Sequence, residues 1–461
     1  MTKVQDYITS NGEKFEEELF ELLRIPSIST SSANKKDIRK AAEFLSDQLE
    51  NMDMDRVELM ETDGNPVVYA EYAPHGDKMP TVLVYGHYDV QPPDPEEEWE
   101  TQPFEPTIKD GDIYARGSAD DKGQVFTHVK AIEAFRKTGQ DLPVNVKFIL
   151  EGEEEVGSPN LVPFLKEHKE LLDCDMVLIS DTAMFAEDTP SITYGLRGLA
   201  YMEINVQGPN RDLHSGVYGG TVANPGNVLA DIISSMKDEN NVIQIPGFYD
   251  DVKPLSDEER EQYKKLPFDE QEYKKELGID EVEGEKGYTT LERASARPTL
   301  DVNGMWGGYQ GEGAKTVLPA KFGAKVSMRL VPDQDTHKVA KQFEQFVKDQ
   351  APDSVSVSVV RHHGGPPAMT DLNFYGLQAG AEAFKRIYEK DPLFTREGGS
   401  IPIVAEFKNI LGAESILMGF GLNSNAIHSP NEHFSRKDFH RGIQTSAKFF
   451  EVLPEFYKGS E

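Results

Sequence analysis

Three short segments of the chain end in side chains that bind hard or borderline metal ions. Residues 81–86 form an apolar run, Thr81-Val82-Leu83-Val84-Tyr85-Gly86, that delivers His87 and Asp89. Arg116-Gly117-Ser118-Ala119 delivers Asp120 and Asp121, and a second apolar run, 144–150, ends in Glu151-Gly152-Glu153-Glu154-Glu155. A hydrolytic zinc or manganese site needs histidine nitrogen and carboxylate oxygen, with a position left open for water. A two-metal site also needs a carboxylate shared between ions roughly 3.5–4 Å apart, and a general base near the water. The three segments supply every one of these types. Gly86, Gly117 and Gly152 flank them and permit close backbone approach.

Singly, each residue has a plainer reading. A lone histidine is usually a satisfied structural one. Glu153-Glu154-Glu155 could be a solvated acidic run, as Glu96-Glu97-Glu98 is read here. One of Asp120 and Asp121 could cap the helix that follows, a position that favours Asp. Only the convergence of these residues argues for a site.

The elements that must position them follow from periodicity. Residues 3–24 and 36–51 carry apolar residues at helical spacing. Residues 56–60 and 66–72 are short strands around the turn Asp63-Gly64-Asn65-Pro66. The run 81–86 suits a strand buried on both faces. Asp89 lies two residues beyond His87, on the same side of an extended chain, and can hold its ring. A helix begins at Asp121, with Val125, Val129, Ile132 and Phe135 as its stripe and Gly139 as its stop. Strand 144–150, helix 161–172 and strand 175–180 follow, the last ending in Asp181. This alternation predicts an α/β fold with a mostly parallel sheet and helices on both faces. Sites in such sheets lie beyond the C-terminal strand ends, where His87, Glu154, Glu155 and Asp181 all fall.

The pattern changes near residue 195. Residues 200–206 alternate as a half-exposed strand, and 236–297 are polar with no sheet pattern. Strands at 324–330 and 355–360 flank a helix at 337–348. We therefore expect a metal-binding catalytic domain from 1–195 and 370–461, with an inserted smaller α+β domain at 196–369. Helix 370–388, strand 414–418 and helix 436–453 complete the first domain.

Composition narrows the function classes. The chain has 461 residues and a formal net charge of -32, from 80 acidic and 48 basic residues. Such a field repels nucleic acid and anionic membrane surfaces, so neither is expected as a partner. The single cysteine, Cys174, excludes an intrachain disulfide and a cysteine-rich zinc site. No run approaches the roughly 18 apolar residues of a spanning helix. The first residues show no signal-peptide pattern, and a cytoplasmic protein is expected.

The motifs His87-Tyr88-Asp89-Val90-Gln91-Pro92, Gly117-Ser118-Ala119-Asp120-Asp121-Lys122-Gly123 and residues 151–158 together resemble the M20 metallopeptidases, most closely the nonspecific dipeptidase and carnosinase branch. The likeness extends through residues 212–220, 313–319 and 396–402 to His428. It implies that His87 and Asp181 bind one metal, Glu155 and His428 the other, and that Asp120 bridges both. It implies Glu154 as general base, with Asp89 behind His87. It further implies that His214 reaches across a homodimer, built through the inserted lid and dimerisation domain, to polarise the scissile carbonyl. Thr316, Arg329 and Ser400 would grip the substrate carboxylate. Asp at position 181 goes, by the same resemblance, with aminopeptidase and dipeptidase types.

The expectation is a two-metal hydrolase, using Zn2+ or Mn2+, that cleaves dipeptides or short peptides. The alternative enzyme is an N-acyl amino acid deacylase or carboxypeptidase of the same superfamily. The alternative of another class is a peptide-binding protein on a degenerate scaffold, which should have lost a ligand or the base. Here all five ligand positions and Glu154 carry competent residues.

Overall fold

A computed structural model of the chain describes residues 2–399 and 401–459. The chain divides into two units. One comprises Met1–Tyr194, Thr370–Thr395 and Glu406–Glu461, and the other Gly195–Met369 and Arg396–Ala405.

The first unit is built on a mixed sheet. Its centre is parallel: Asn145–Glu151, Thr81–His87, Met176–Ile179 and Glu414–Leu417 lie side by side in that order. Val67–Tyr72 and Arg56–Met60 extend one side antiparallel, and Ser191–Leu196 extends the other. All residues of Asn145–Glu151 and Met176–Ile179 are buried. Strands buried without alternation require cover on both faces; Met176–Ile179 is apolar throughout, while Asn145–Glu151 also buries Asn145, Lys147 and Glu151. Lys122–Thr138, Tyr375–Tyr388 and Arg436–Phe456 supply much of that cover, with buried stripes that join one core. Gly139 ends the first of these helices in the left-handed conformation, φ 63°.

Three expected helices differ in extent. The single helix over 3–24 is interrupted at Asn11, giving Lys3–Ser10 and Gly12–Leu23. The Asn11 side chain donates to Tyr7 O (2.8 Å), and Asn-Gly is a weak helix pair. The helix expected over 161–172 ends at Glu167. The helix expected from 370 starts at Tyr375, because Thr370 is tied back to Tyr194 O (2.8 Å) and 371–374 form a turn.

The second unit holds a four-stranded antiparallel sheet in the order Thr299–Gly307, Lys321–Leu330, Gly198–Gln207, Ser356–Gly365. Gly198–Gln207 alternates buried and half-buried along its whole length, as a strand with one covered face must. Pro225–Ser234 and Thr336–Gln350 contribute their apolar stripes to that core. The strand Thr299–Gly307 had no sequence counterpart, because most of its residues are exposed on a sheet edge. The polar stretch 236–297 contains the helices Asp257–Lys265, Glu270–Leu277 and Thr290–Ser295. Their signal is in their ends: Ser256 with Glu259 and Thr289 with Glu292 form capping boxes.

Candidate metal centre

His87 ends the strand Thr81–His87 with its side chain fully buried. Its Nδ1 lies 3.1 Å from the main-chain oxygen of Asp89. A carbonyl can only accept, so Nδ1 carries a hydrogen, and Nε2 is the nitrogen left to serve as a ligand. His87 Nε2 faces Asp120 Oδ1 at 3.1 Å and Asp181 Oδ2 at 3.9 Å. The other oxygen of Asp120, Oδ2, lies 2.9 Å from His428 Nε2, which is 3.3 Å from Glu155 Oε2. Two ligand clusters result, His87 with Asp120 and Asp181, and Asp120 with Glu155 and His428. Asp120 belongs to both and turns one oxygen to each.

Imidazole nitrogen and carboxylate oxygen therefore converge at two points that share Asp120. His87 and His428 respond by holding a proton. Hydrogen bonds to Asp120 and Asp89 and the charge of Asp181 overcome burial to hold His87 well above the usual histidine value. Hydrogen bonds to Asp120 and Glu155 lift His428 to about 10. Burial pushes Glu154 up to about 9, with the charges of Asp181, Glu155 and Asp120 adding to it. Imidazole nitrogens and carboxylate oxygens grouped in this way fit divalent cations of the zinc and manganese type.

The loop 151–158 is suspended from carboxylates. Asp89 Oδ1 accepts from Glu154 N–H and Oδ2 from Glu155 N–H, both at 3.2 Å. The main-chain oxygen of Asp89 thus orients His87, while its carboxylate, 3.4 Å from Nδ1, carries the base and a ligand. Glu151 Oε1 accepts from Tyr85 Oη (2.8 Å) and Ser158 Oγ (2.7 Å). Glu153 is buried and holds Asn65 N–H (3.2 Å) and Asn160 Nδ2 (2.8 Å), so it is an anchor rather than part of a solvated run. Gln91 Nε2 donates to Glu155 Oε2 (2.8 Å). The glycines match their expected use: a Cβ on Gly86 would meet Asp121 Oδ2 at 2.6 Å, and one on Gly152 the Tyr88 ring at 2.6 Å.

Asp121 occupies the N-cap position of Lys122–Thr138 without making the capping bond. Its Oδ2 instead accepts from His87 N–H (3.2 Å). Behind Asp181, Ser180 Oγ donates to Met418 O (2.7 Å) and accepts from His128 Nε2 (2.7 Å), whose Nδ1 faces Ser446 Oγ (2.7 Å). Burial pushes His128 down to about 3. Glu432, Gln91 and His128 have no role in the sequence reading, and Asp121 has only that of a candidate helix cap. Asp121 and Gln91 stand inside the motifs; Glu432 and His128 carry no spacing signal.

His214, Thr316 and Arg329 lie in the second unit. The short ladder Leu213–His214 with Val317–Leu318 brings the first two together, and Ser215 N–H donates to Thr316 O (3.1 Å). His214 Nδ1 accepts from Gly216 N–H (3.0 Å), which leaves Nε2 carrying the hydrogen on an exposed ring. Arg329 is half-buried on Lys321–Leu330. Ser400 lies outside the described residues.

The pattern of peptidase family M20/M25/M40 matches residues 83–452. The Cys-Gly metallodipeptidase DUG1 of Candida albicans is 35% identical over 95% of this chain and 94% of its own length. The solved structure of the dipeptidase Dug1p from Saccharomyces cerevisiae superimposes with a TM-score of 0.81, at 32% identity over 98% of both chains. The M20 family metallo-carboxypeptidase Sso-CP2 of Sulfolobus solfataricus gives a TM-score of 0.84, at 34% identity over 96% of this chain and 99% of that one.

Proposed function

This chain belongs to peptidase family M20/M25/M40, and from that premise we propose that it is a two-metal dipeptidase. The observation that carries the reading is Asp120, with one oxygen toward His87 and the other toward His428. His87 and Asp181 would hold one ion, Glu155 and His428 the other, and Asp120 both. Zinc and manganese both suit this donor set. When bound, two such ions polarise the scissile carbonyl and make the attacking water more acidic.

The chain's own residues do the rest. Glu154 takes the proton of the attacking water and passes it to the leaving amine nitrogen. Asp89 keeps Glu154 and Glu155 in register through their backbone N–H groups. His87 is oriented through Nδ1, which leaves Nε2 as the nitrogen that would hold an ion. Arg329, Thr316 and Ser400 grip the substrate carboxylate. His214 donates from Nε2 to the developing oxyanion, acting in the partner's site of a homodimer. The inserted domain, 196–369, is then lid and dimerisation element. The reading extends to a cytoplasmic enzyme, in keeping with one unpaired cysteine.

The test is hydrolysis of a dipeptide panel by chelator-treated protein before and after adding Zn2+ or Mn2+. No turnover with any ion would refute the proposal. A second reading is a carboxypeptidase, favoured by the likeness to Sso-CP2, or an N-acyl amino acid deacylase of the same superfamily. Preference for N-acetylated or N-succinylated amino acids over free dipeptides would establish it instead.

A further inference from the structure

One buried ion pair joins the segments that carry the ligands. Glu432 is fully buried and Arg116 is 1% exposed. Glu432 Oε1 accepts from Ala119 N–H (2.9 Å) and Asp120 N–H (3.1 Å). Its Oε2 accepts from Gly117 N–H (2.8 Å) and Arg116 Nη1 (2.8 Å). Arg116 Nη2 in turn donates to Pro92 O and Ser429 O, both at 3.2 Å. The pair thus touches the loop after His87, the loop carrying Asp120 and the residue after His428.

Residues 117–121 belong to no helix or strand. No ladder fixes the Asp120 backbone, yet Asp120 must aim two oxygens at two different histidines. The N–H groups of 117, 119 and 120 point at one carboxylate, which takes the place of a ladder. Burying an ion pair is seldom the cheapest route to stability. Its value here lies in the geometry it imposes. We propose that Glu432, clamped by Arg116, is a positioning residue that sets the affinity of both ion sites by fixing Asp120 relative to His428. The inference rests on the two-metal reading above.

Glu432→Gln keeps the shape of the side chain but replaces one acceptor oxygen with an NH2 group. The Arg116 charge claims the remaining oxygen, so a donor then faces the N–H groups of Ala119 and Asp120. Loss of an outer partner of this kind typically weakens metal binding about 10- to 100-fold. Affinity is read by competition of Mn2+ or Co2+ with a chromophoric chelator, and geometry by the visible spectrum of the Co2+ form. We expect both ions to weaken together and the Co2+ spectrum to change. Glu16→Gln is the control: Glu16 is also buried and paired, with Arg436 and His440. It should lower the melting temperature and leave ion affinity and spectrum unchanged. A folded Glu432→Gln protein with wild-type affinity overturns the inference. Should that variant not fold, Arg116→Lys is measured in the same way. It keeps the charge but not the bonds to both Pro92 and Ser429, and unchanged affinity there overturns the inference too. Wild-type protein that binds no ion refutes the two-metal reading itself, a separate result.

Discussion

Acidification should destabilise this protein through His128, whose ring has no room to become charged. The ring is buried, Nε2 gives its hydrogen to Ser180 Oγ, and Nδ1 faces a second hydroxyl. Burial holds it down to about 3 in the folded state, against about 6.5 in an unfolded chain. The sign follows from proton counts. Below pH 6.5 the unfolded chain takes up a proton that the folded one refuses, so stability falls as pH falls. Each pH unit costs about 1.4 kcal/mol, and the drop from pH 6.5 to 5 costs about 2 kcal/mol from this side chain alone. Glu432 and Asp438, pushed up by burial to about 7 and about 6, work in the opposite sense and lose stability as pH rises. Their contributions are common to wild type and variant, so a double difference removes them. His128→Gln keeps a donor toward Ser180 and cannot titrate. Urea unfolding of chelator-treated wild type and variant at pH 7.5 and pH 5 should show the wild type losing about 2 kcal/mol more than the variant. Equal losses would refute the assignment of a neutral, proton-refusing His128.

The remaining predictions concern catalysis. Glu154→Gln should retain metal content by elemental analysis while turnover drops about 10²- to 10⁴-fold; wild-type kcat would remove Glu154 as the base. Asp120→Ala should release both ions together, and full retention of one ion would mean the sites do not share a ligand. His214→Ala should lower kcat about 10²- to 10³-fold, the usual worth of a preorganised oxyanion donor. Mixing His214→Ala with Glu154→Gln subunits should restore activity, because one site then combines intact Glu154 with His214 from the other chain. Verified exchange without recovery would refute action in trans.

Much of the first unit was legible because its strands are buried on both faces and so read as apolar runs. The candidate ligands His87, Glu155 and Asp181 were legible for the same reason: they stand where those runs stop. What supports them was not. Glu153 looks like its solvated neighbours and is distinguished only by Asn65 and Asn160, which the fold brings to it. Glu432 is one acid among many in an irregular segment, and its meaning lies in N–H groups more than three hundred residues away. His128 falls within a buried helical segment, where the sequence predicts packing and says nothing of two serines. The polar helices of 257–295 bury little, so periodicity is silent and only their caps speak.

The place of Glu414–Leu417 in the sheet has a consequence for synthesis. This strand lies between Met176–Ile179 and Ser191–Leu196, yet the whole second unit is translated before it. A nascent chain ending at residue 400 can assemble most of the second unit's sheet but must leave a gap in the first. That gap opens beside Asp181, and the same chain still lacks His428 and Glu432. Domains generally fold as units as they emerge, but the first unit cannot. The ion-binding end of its sheet therefore closes only once Glu414–Leu417 has emerged, and an ion met before then finds only His87, Asp120, Glu155 and Asp181 from an unfinished set.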